Sequence, residues 1–299
     1  MGIILNMKKS KTLLFLILLL SIVLLISLLM KHKENFQTSQ PYDIIVIAGQ
    51  SNSEGAGSSG INRQYPDDQN NVLDSDIKQL DYNNTTIKAG KEQLDNLRTT
   101  GGGSYGFGMS FARAYKAAGK LAAGRKILLI NCGWKSTGVL SYYENTGKIW
   151  AVHQDSRSLY YLAKNRVLAG KSLGDPTSSV VAILWHQGEA DAEKVTNANY
   201  KIQYKTTLVN MLKTLRTDVG TTNIPILMGG LCPSTFGKIP GYSTMNNVIK
   251  EITNENSSSK FAFVDSSGLS HDSNAGTKHF SKSSQIEFGK RYFNVFNNI

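Results

Sequence analysis

Cysteine is nearly absent from this chain, with only Cys132 and Cys232 among 299 residues. Two thiols exclude a disulfide framework, and without histidines at ligand spacing they exclude a structural zinc site. Each ends an apolar strand-like run, Ile127-Leu128-Leu129-Ile130-Asn131 and Ile226-Leu227-Met228-Gly229-Gly230-Leu231. Buried free thiols are therefore expected, with a single bridge in an oxidising lumen as the alternative. Histidine is also scarce: His32, His153, His186, His271 and His279 are all there is. No dense basic block with interleaved aromatics occurs, so nucleic acid is not an expected partner. No internal repeat is present. Gly101-Gly102-Gly103-Ser104-Tyr105-Gly106 formally fits the dinucleotide pattern, but no apolar strand precedes it and the nucleotide reading fails.

What is abundant sits first at the amino terminus. Leu13 to Met30 is an apolar run broken only by Ser21 and Ser27, preceded by Lys8, Lys9 and Lys11 and followed by Lys31, His32 and Lys33. It is long enough to span a bilayer as a helix, and it lacks the short core and small-residue cleavage site of a removable signal peptide. The expected organisation is a cytoplasmic tail over 1–12, a transmembrane signal anchor over 13–30, a stalk over 31–41 and one enzyme-sized domain over 42–299. The three lysines before the run favour a cytoplasmic amino terminus, which puts the large domain outside or in a lumen. Sequons at Asn83, Asn84 and Asn256 agree with that side. Net charge is +11; five of the 33 basic residues flank the apolar run, leaving 28 against 22 acidic residues. That excess of six suits an ordinary solvated surface.

Past residue 40 short apolar runs alternate with longer amphipathic stretches. Strands are expected at 43–48, 126–131, 179–185, 224–230 and 260–264, with helices near 107–120, 155–172, 198–217, 242–252 and 282–297. Such alternation implies βαβ units, a five-stranded parallel sheet and helices on both faces. In the 198–217 helix Tyr200, Tyr204, Leu208, Met211, Leu212 and Leu215 form one core-facing stripe. Ser53 to Gly103 breaks the rhythm with a polar, aperiodic composition and reads as a loop excursion facing substrate.

The first strand runs Tyr42-Asp43-Ile44-Ile45-Val46-Ile47-Ala48 and stops at Gly49-Gln50-Ser51-Asn52. Ligands gather beyond the carboxyl ends of parallel strands, so Ser51 lies where a nucleophile belongs. A serine hydroxyl needs a base and donors for the oxyanion it creates. His279, in Lys278-His279-Phe280 just before the last helix, is the best base. The 179–185 strand ends in Trp185-His186-Gln187-Gly188-Glu189-Ala190-Asp191, where Gln187 can offer an amide to an oxyanion and Glu189 or Asp191 can orient an imidazole.

Taken in order, Gly49-Gln50-Ser51-Asn52, Gly106-Phe107-Gly108-Met109-Ser110-Phe111-Ala112-Arg113, the Trp185 to Asp191 segment, and His279-Phe280 with Phe288-Gly289-Lys290-Arg291-Tyr292 resemble the sialate O-acetylesterase and acetylxylan esterase group. This is carbohydrate esterase family six of the SGNH hydrolases, and the likeness spans about 43–298. The lipase elbow G-x-S-x-G is absent, since position 53 is Ser53, which separates the chain from the α/β-hydrolases. The resemblance implies a three-layer α/β/α sandwich of the flavodoxin-like kind and hydrolysis of acetyl esters on sugars, without metal or cofactor. It implies Ser51 as nucleophile, His279 as base and Glu189 near the histidine. It further implies an oxyanion hole from the Ser51 and Gly106 N–H groups and the Gln187 side chain. Gln50, Asn52, Gly133 and Ser136 would border the sugar, the last two in a loop resembling the family's Gly-Gly-Thr/Ser loop.

One departure stands out: many relatives carry an aspartate three residues before the histidine, and here that position is Gly276. Glu189, Asp272, Asp265 or the Thr277 carbonyl is left to orient His279. The expected function is a membrane-anchored carbohydrate O-acetylesterase with an acetylated-carbohydrate substrate, its apolar run in a lipid bilayer. The alternatives are an inactive sugar-binding surface protein on the same fold and an esterase of lipid or small acyl esters. The polar composition of 53–103 speaks against the last.

Overall fold

The computed structural model describes residues 18–27, 40–55, 73–98, 105–140, 147–151, 157–273 and 276–299. Of the segment expected to span a membrane, residues 18–27 form a helix, α1, and the remainder lies outside the described residues. Among the described residues no helix is long and apolar enough to cross a membrane. The glycine run over 101–104, His32 and His153 also lie outside them.

Residues Gln40–Ile299 form one compact unit. Its sheet has seven strands in the order β3-β2-β4-β1-β5-β6-β7. These are β1 (Tyr42–Gly49), β2 (Ile77–Leu80), β3 (Ile87–Ala89), β4 (Lys126–Gly133), β5 (Ser179–His186), β6 (Ile226–Gly229) and β7 (Phe261–Val264). Every pairing is parallel except β2 with β3. The helices are α2 (Ser51–Glu54), α3 (Gly108–Ala117), α4 (Leu159–Ser172), α5 (Ala198–Asp218), α6 (Tyr242–Glu255) and α7 (Lys282–Asn297). A hairpin of β8 (His271–Asp272) and β9 (Gly276–Phe280) precedes α7.

The five expected parallel strands are all present, and the count is corrected to seven. The two additions come from the segment read as a loop. Ile77-Lys78-Gln79-Leu80 is too polar to signal a strand, and it forms because β4 offers it a parallel edge. Two hydrophobic clusters line the sheet faces. Trp150, Trp185, Tyr204 and Met211 lie in one, and Phe107, Phe111, Phe288 and Tyr292 in the other. The core stripe of α5 holds, with Arg216 joining its buried residues. Both cysteines are buried and free.

Arg166 on α4 ties the added strand to the rest. Fully buried, its guanidinium donates to the carbonyls of Asn131 (3.0 Å), Asp81 (2.8 Å), Leu80 (3.1 Å) and Asp95 (3.0 Å), and also to Asn84 Oδ1. The pairing of β2 with β4 ends at Gln79 and Leu129, and the Leu80, Asp81 and Asn131 carbonyls lie past that last pair, so the planar fork takes the place of ladder bonds between the two strands. Arg166→Met keeps the aliphatic stem and strands these acceptors in the interior. We expect a loss of about 3 kcal/mol or more in urea unfolding; a loss under about 1 kcal/mol would mean that water substitutes for the guanidinium.

Candidate active site

The nucleophile turn exists because Gly49 has no side chain. Its φ is +130°, and an added Cβ would lie 2.0 Å from the His186 carbonyl oxygen. That carbonyl instead accepts from the Gln50 N–H (3.0 Å) and from Ser53 Oγ (3.0 Å), while the Gly49 carbonyl accepts from the Trp134 N–H (3.1 Å). The ends of β1, β4 and β5 are thereby stitched around α2, with Ser51 as its first residue. Gly133 completes the packing, since a Cβ there would sit 2.4 Å from the Glu54 nitrogen. Glu54, at the end of α2, is buried; it takes a two-point contact from Arg98 (Nε 3.1 Å, Nη2 2.5 Å) and the Lys135 N–H at 2.6 Å. Sequence reasoning missed this pair; the only signal was an acid directly after Gly-Gln-Ser-Asn-Ser.

His279 comes from the opposite direction, on β9, and its Nε2 lies 3.0 Å from Ser51 Oγ. The two residues are 228 positions apart in sequence and within hydrogen-bonding reach in space. Between them sits Asn52, fully buried. Its Nδ2 donates to Glu189 Oε1 (3.0 Å) and to the Lys278 carbonyl (3.1 Å). Its Oδ1 accepts from the Phe280 N–H (3.1 Å) and Gln285 Nε2 (3.2 Å).

The structure places the expected site residues at different depths. Asn52 and Gly133 are buried within the scaffold. Gln50, 5% exposed, turns its Oε1 inward to accept from Gln187 Nε2 (3.3 Å) and the Ala190 N–H (3.2 Å). Gln187 is fully buried, donating to Asp191 Oδ2 (2.8 Å) and accepting from the Tyr204 hydroxyl (3.0 Å). Its Nε2 also meets Gln50 Oε1 (3.3 Å) and the Thr137 carbonyl (3.4 Å), so the amide is held on all sides within the fold. Asp191, also fully buried, accepts from Gln187, the Val139 N–H (2.8 Å) and the Tyr200 hydroxyl (2.6 Å). Ser136 is exposed, in the turn after β4, with φ of +57°.

Of the groups left to orient His279, Asp265 accepts from Ser267 N–H (3.2 Å) and Oγ (2.9 Å) at the surface, and Glu189 bonds Asn52. Asp272 is buried, on the strand that pairs with the one carrying His279. Gly276 itself is exposed at φ +79°, with open space where a Cβ would be. His186 is fully buried behind the site. It donates from Nε2 to the Gly230 carbonyl (3.0 Å), and burial lowers its pKa and keeps it neutral. The described residues contain no group of His, Cys, Asp and Glu that could hold a metal ion.

The Gly106 N–H, expected at the oxyanion, donates to Glu92 Oε2 at 3.2 Å. Burial pushes the Glu92 carboxyl up to about 8, with Gly106 and Arg113 opposing the shift.

A family model described as carbohydrate esterase, sialic acid-specific acetylesterase, matches residues 41–298. No curated protein matches the sequence. Among solved structures, a protein from Arabidopsis thaliana aligns with a TM-score of 0.64 at 20% identity, covering 86% of this chain and 98% of that one. NanS aligns with a TM-score of 0.64 at 17% identity, covering 87% and 98%. A carbohydrate acetylesterase from Xanthomonas citri aligns at 0.53 and 13%, covering 86% of this chain and 57% of its own. At these identities the likeness is one of fold.

Glu92 gives the domain a pH dependence whose sign follows from its raised pKa. The folded state holds this proton more tightly than the unfolded one, so the contribution is complete below the ordinary carboxylate pKa and fades as pH rises toward about 8. The urea midpoint of the wild type should fall between about pH 5.5 and pH 8, and Glu92→Gln should remove that part of the slope. An unchanged slope in Glu92→Gln would mean that the carboxyl is ionised in the fold.

Proposed function

The chain belongs to the carbohydrate esterase, sialic acid-specific acetylesterase family and is a carboxylic ester hydrolase of the carbohydrate O-acetylesterase kind, and we propose that it works through a Ser51–His279 acyl-enzyme mechanism. The observation that carries this reading is the 3.0 Å approach of His279 Nε2 to Ser51 Oγ. With the ring proton on Nδ1, Nε2 takes the hydroxyl proton as Oγ bonds the acetyl carbon. The tetrahedral intermediate collapses as the bond to the sugar oxygen breaks and His279 hands that oxygen the proton. Water, deprotonated by the same imidazole, then attacks the acetyl-serine and acetate leaves.

The Ser51 backbone N–H is the proposed first donor to the oxyanion. Gly106 can join it only when Glu92 gives up its N–H. Asp272 is the proposed orienter of His279, because it is the buried acid on the facing strand. Lys278 and Lys282 flank the base, and Lys282 Nζ lies 4.6 Å from the centre of the Tyr105 ring. This basic pair supports an acidic sugar such as a sialic acid as the acetyl carrier.

Acetate release from an acetylated sugar panel and from p-nitrophenyl acetate tests the reading. Ser51→Ala and His279→Ala should each lower kcat by about 10³-fold or more with the fold intact. Wild-type turnover indistinguishable from Ser51→Ala would leave a sugar-binding protein in its place. The 3.0 Å pair favours the enzyme, since binding alone has no use for it.

The apolar run over 13–30 is proposed as a membrane anchor with the domain outside or in a lumen. Its length and flanking lysines support this. The full chain should stay with membranes through carbonate extraction and be open to protease from the non-cytoplasmic side. Release into the carbonate supernatant would overturn the anchor.

A further inference from the structure

We propose that Asn52 is a positioning residue for the base, and that Glu189 acts on His279 through Asn52 rather than by facing the imidazole. This rests on the Ser51–His279 reading above. The groups that Asn52 holds are the Lys278 carbonyl and the Phe280 N–H, one on each side of His279 in the chain. Fixing both flanking residues fixes the backbone of residue 279 and the direction of its Cα–Cβ bond. The hairpin alone offers little restraint, because β8 has only two residues. Asn52 also follows Ser51 directly, so one side chain sets the distance between nucleophile and base.

The surroundings allow the amide one orientation. Nδ2 meets two acceptors, Glu189 Oε1 and the Lys278 carbonyl, and Oδ1 meets two donors, the Phe280 N–H and Gln285 Nε2. A flipped amide would set oxygen against oxygen and nitrogen against N–H. Glu189 gives its Oε1 to this lock, 3.6 Å from His186 Nδ1; among the described residues neither Glu189 Oε2 nor His186 Nδ1 has a hydrogen-bond partner. The restraint that relatives draw from an aspartate three residues before the histidine is supplied here in part from behind.

The test uses the full-length chain and acetate release. Asn52→Ala should lower kcat by about 100-fold, the usual result of a small misplacement, while KM changes less than about threefold. Glu189→Ala should cost about tenfold in kcat, and Glu189→Gln should recover most of that, because its side-chain carbonyl still accepts from Nδ2. The ionisable groups around the base are His186 at the end of β5 and Glu189 just past it, Asp272 and His271 on β8, and Lys278 and Lys282 beside it. Glu189→Gln changes one charge among them, and the acidic limb of the kcat/KM profile should move by less than about 0.3 pH unit.

A folded Asn52→Ala with wild-type kcat overturns the proposal. So does a Glu189→Gln as slow as Glu189→Ala with its acidic limb lowered by about one unit, which would put the Glu189 charge directly on the imidazole. If Asn52→Ala fails to fold, the Glu189 pair decides alone. Ser51→Ala and His279→Ala run beside these variants: full turnover in either overturns the serine–histidine reading and the clamp with it. Their inactivity beside an active Asn52→Ala removes only the clamp.

Discussion

The close approach of two parallel strand ends, where the His186 carbonyl of β5 occupies the space a side chain would need at Gly49 of β1, is the constraint on which the site depends. It allows Ser51 to begin its helix at the carboxyl edge of the sheet, in the crevice where open α/β sheets bind ligands. It also brings the end of β5 against the nucleophile turn, so that residues 186–191 reach Gln50 and Asn52 directly. Gly133 repeats the device from the β4 side. Neither glycine could carry a Cβ without pushing these three strands and α2 apart.

This explains why so many polar side chains near Ser51 are buried. Asn52, Gln187, Glu189 and Asp191 form the filling of a tightly packed junction, and almost all their polar atoms are matched within it. Matched polar groups in a low-dielectric interior fix geometry well, because any displacement leaves a donor or acceptor unpaired. The aromatic layer beneath acts similarly through shape. Phe107 stacks on Tyr292 at 4.6 Å between ring centres, Phe280 and Phe288 pack edgewise on His186, and the Tyr292 hydroxyl donates to the Trp185 carbonyl at 2.8 Å. The residue after the base, Phe280, is thus held by rings on one side and by the Asn52 amide on the other.

Much of this was legible in the sequence. The five expected strands announced themselves as apolar runs, and the meeting of Ser51 with His279 followed from the family resemblance and from the scarcity of other histidines. What stayed hidden depended on direction and burial, which residue type alone does not carry. Gln187, Gln50 and Asn52 have the composition of a binding surface, yet all three point inward, because the strand ends leave them no other space. The short strand β2 carries Lys78 and Gln79 and reads as loop until β4 supplies an edge. Arg166, surrounded in sequence by ordinary helix residues, gave no sign that it would be fully buried among carbonyls.

The two cysteines have a consequence for where such a domain can work. Burial raises the pKa of both thiols, that of Cys132 to about 12. Disulfide exchange proceeds through the thiolate, and both sulfurs are withheld in protonated form behind packed strands. The folded domain has no redox state to keep: its stability neither draws on an oxidant nor suffers from a reductant. A catalyst built this way is indifferent to the thiol balance of the compartment that holds it.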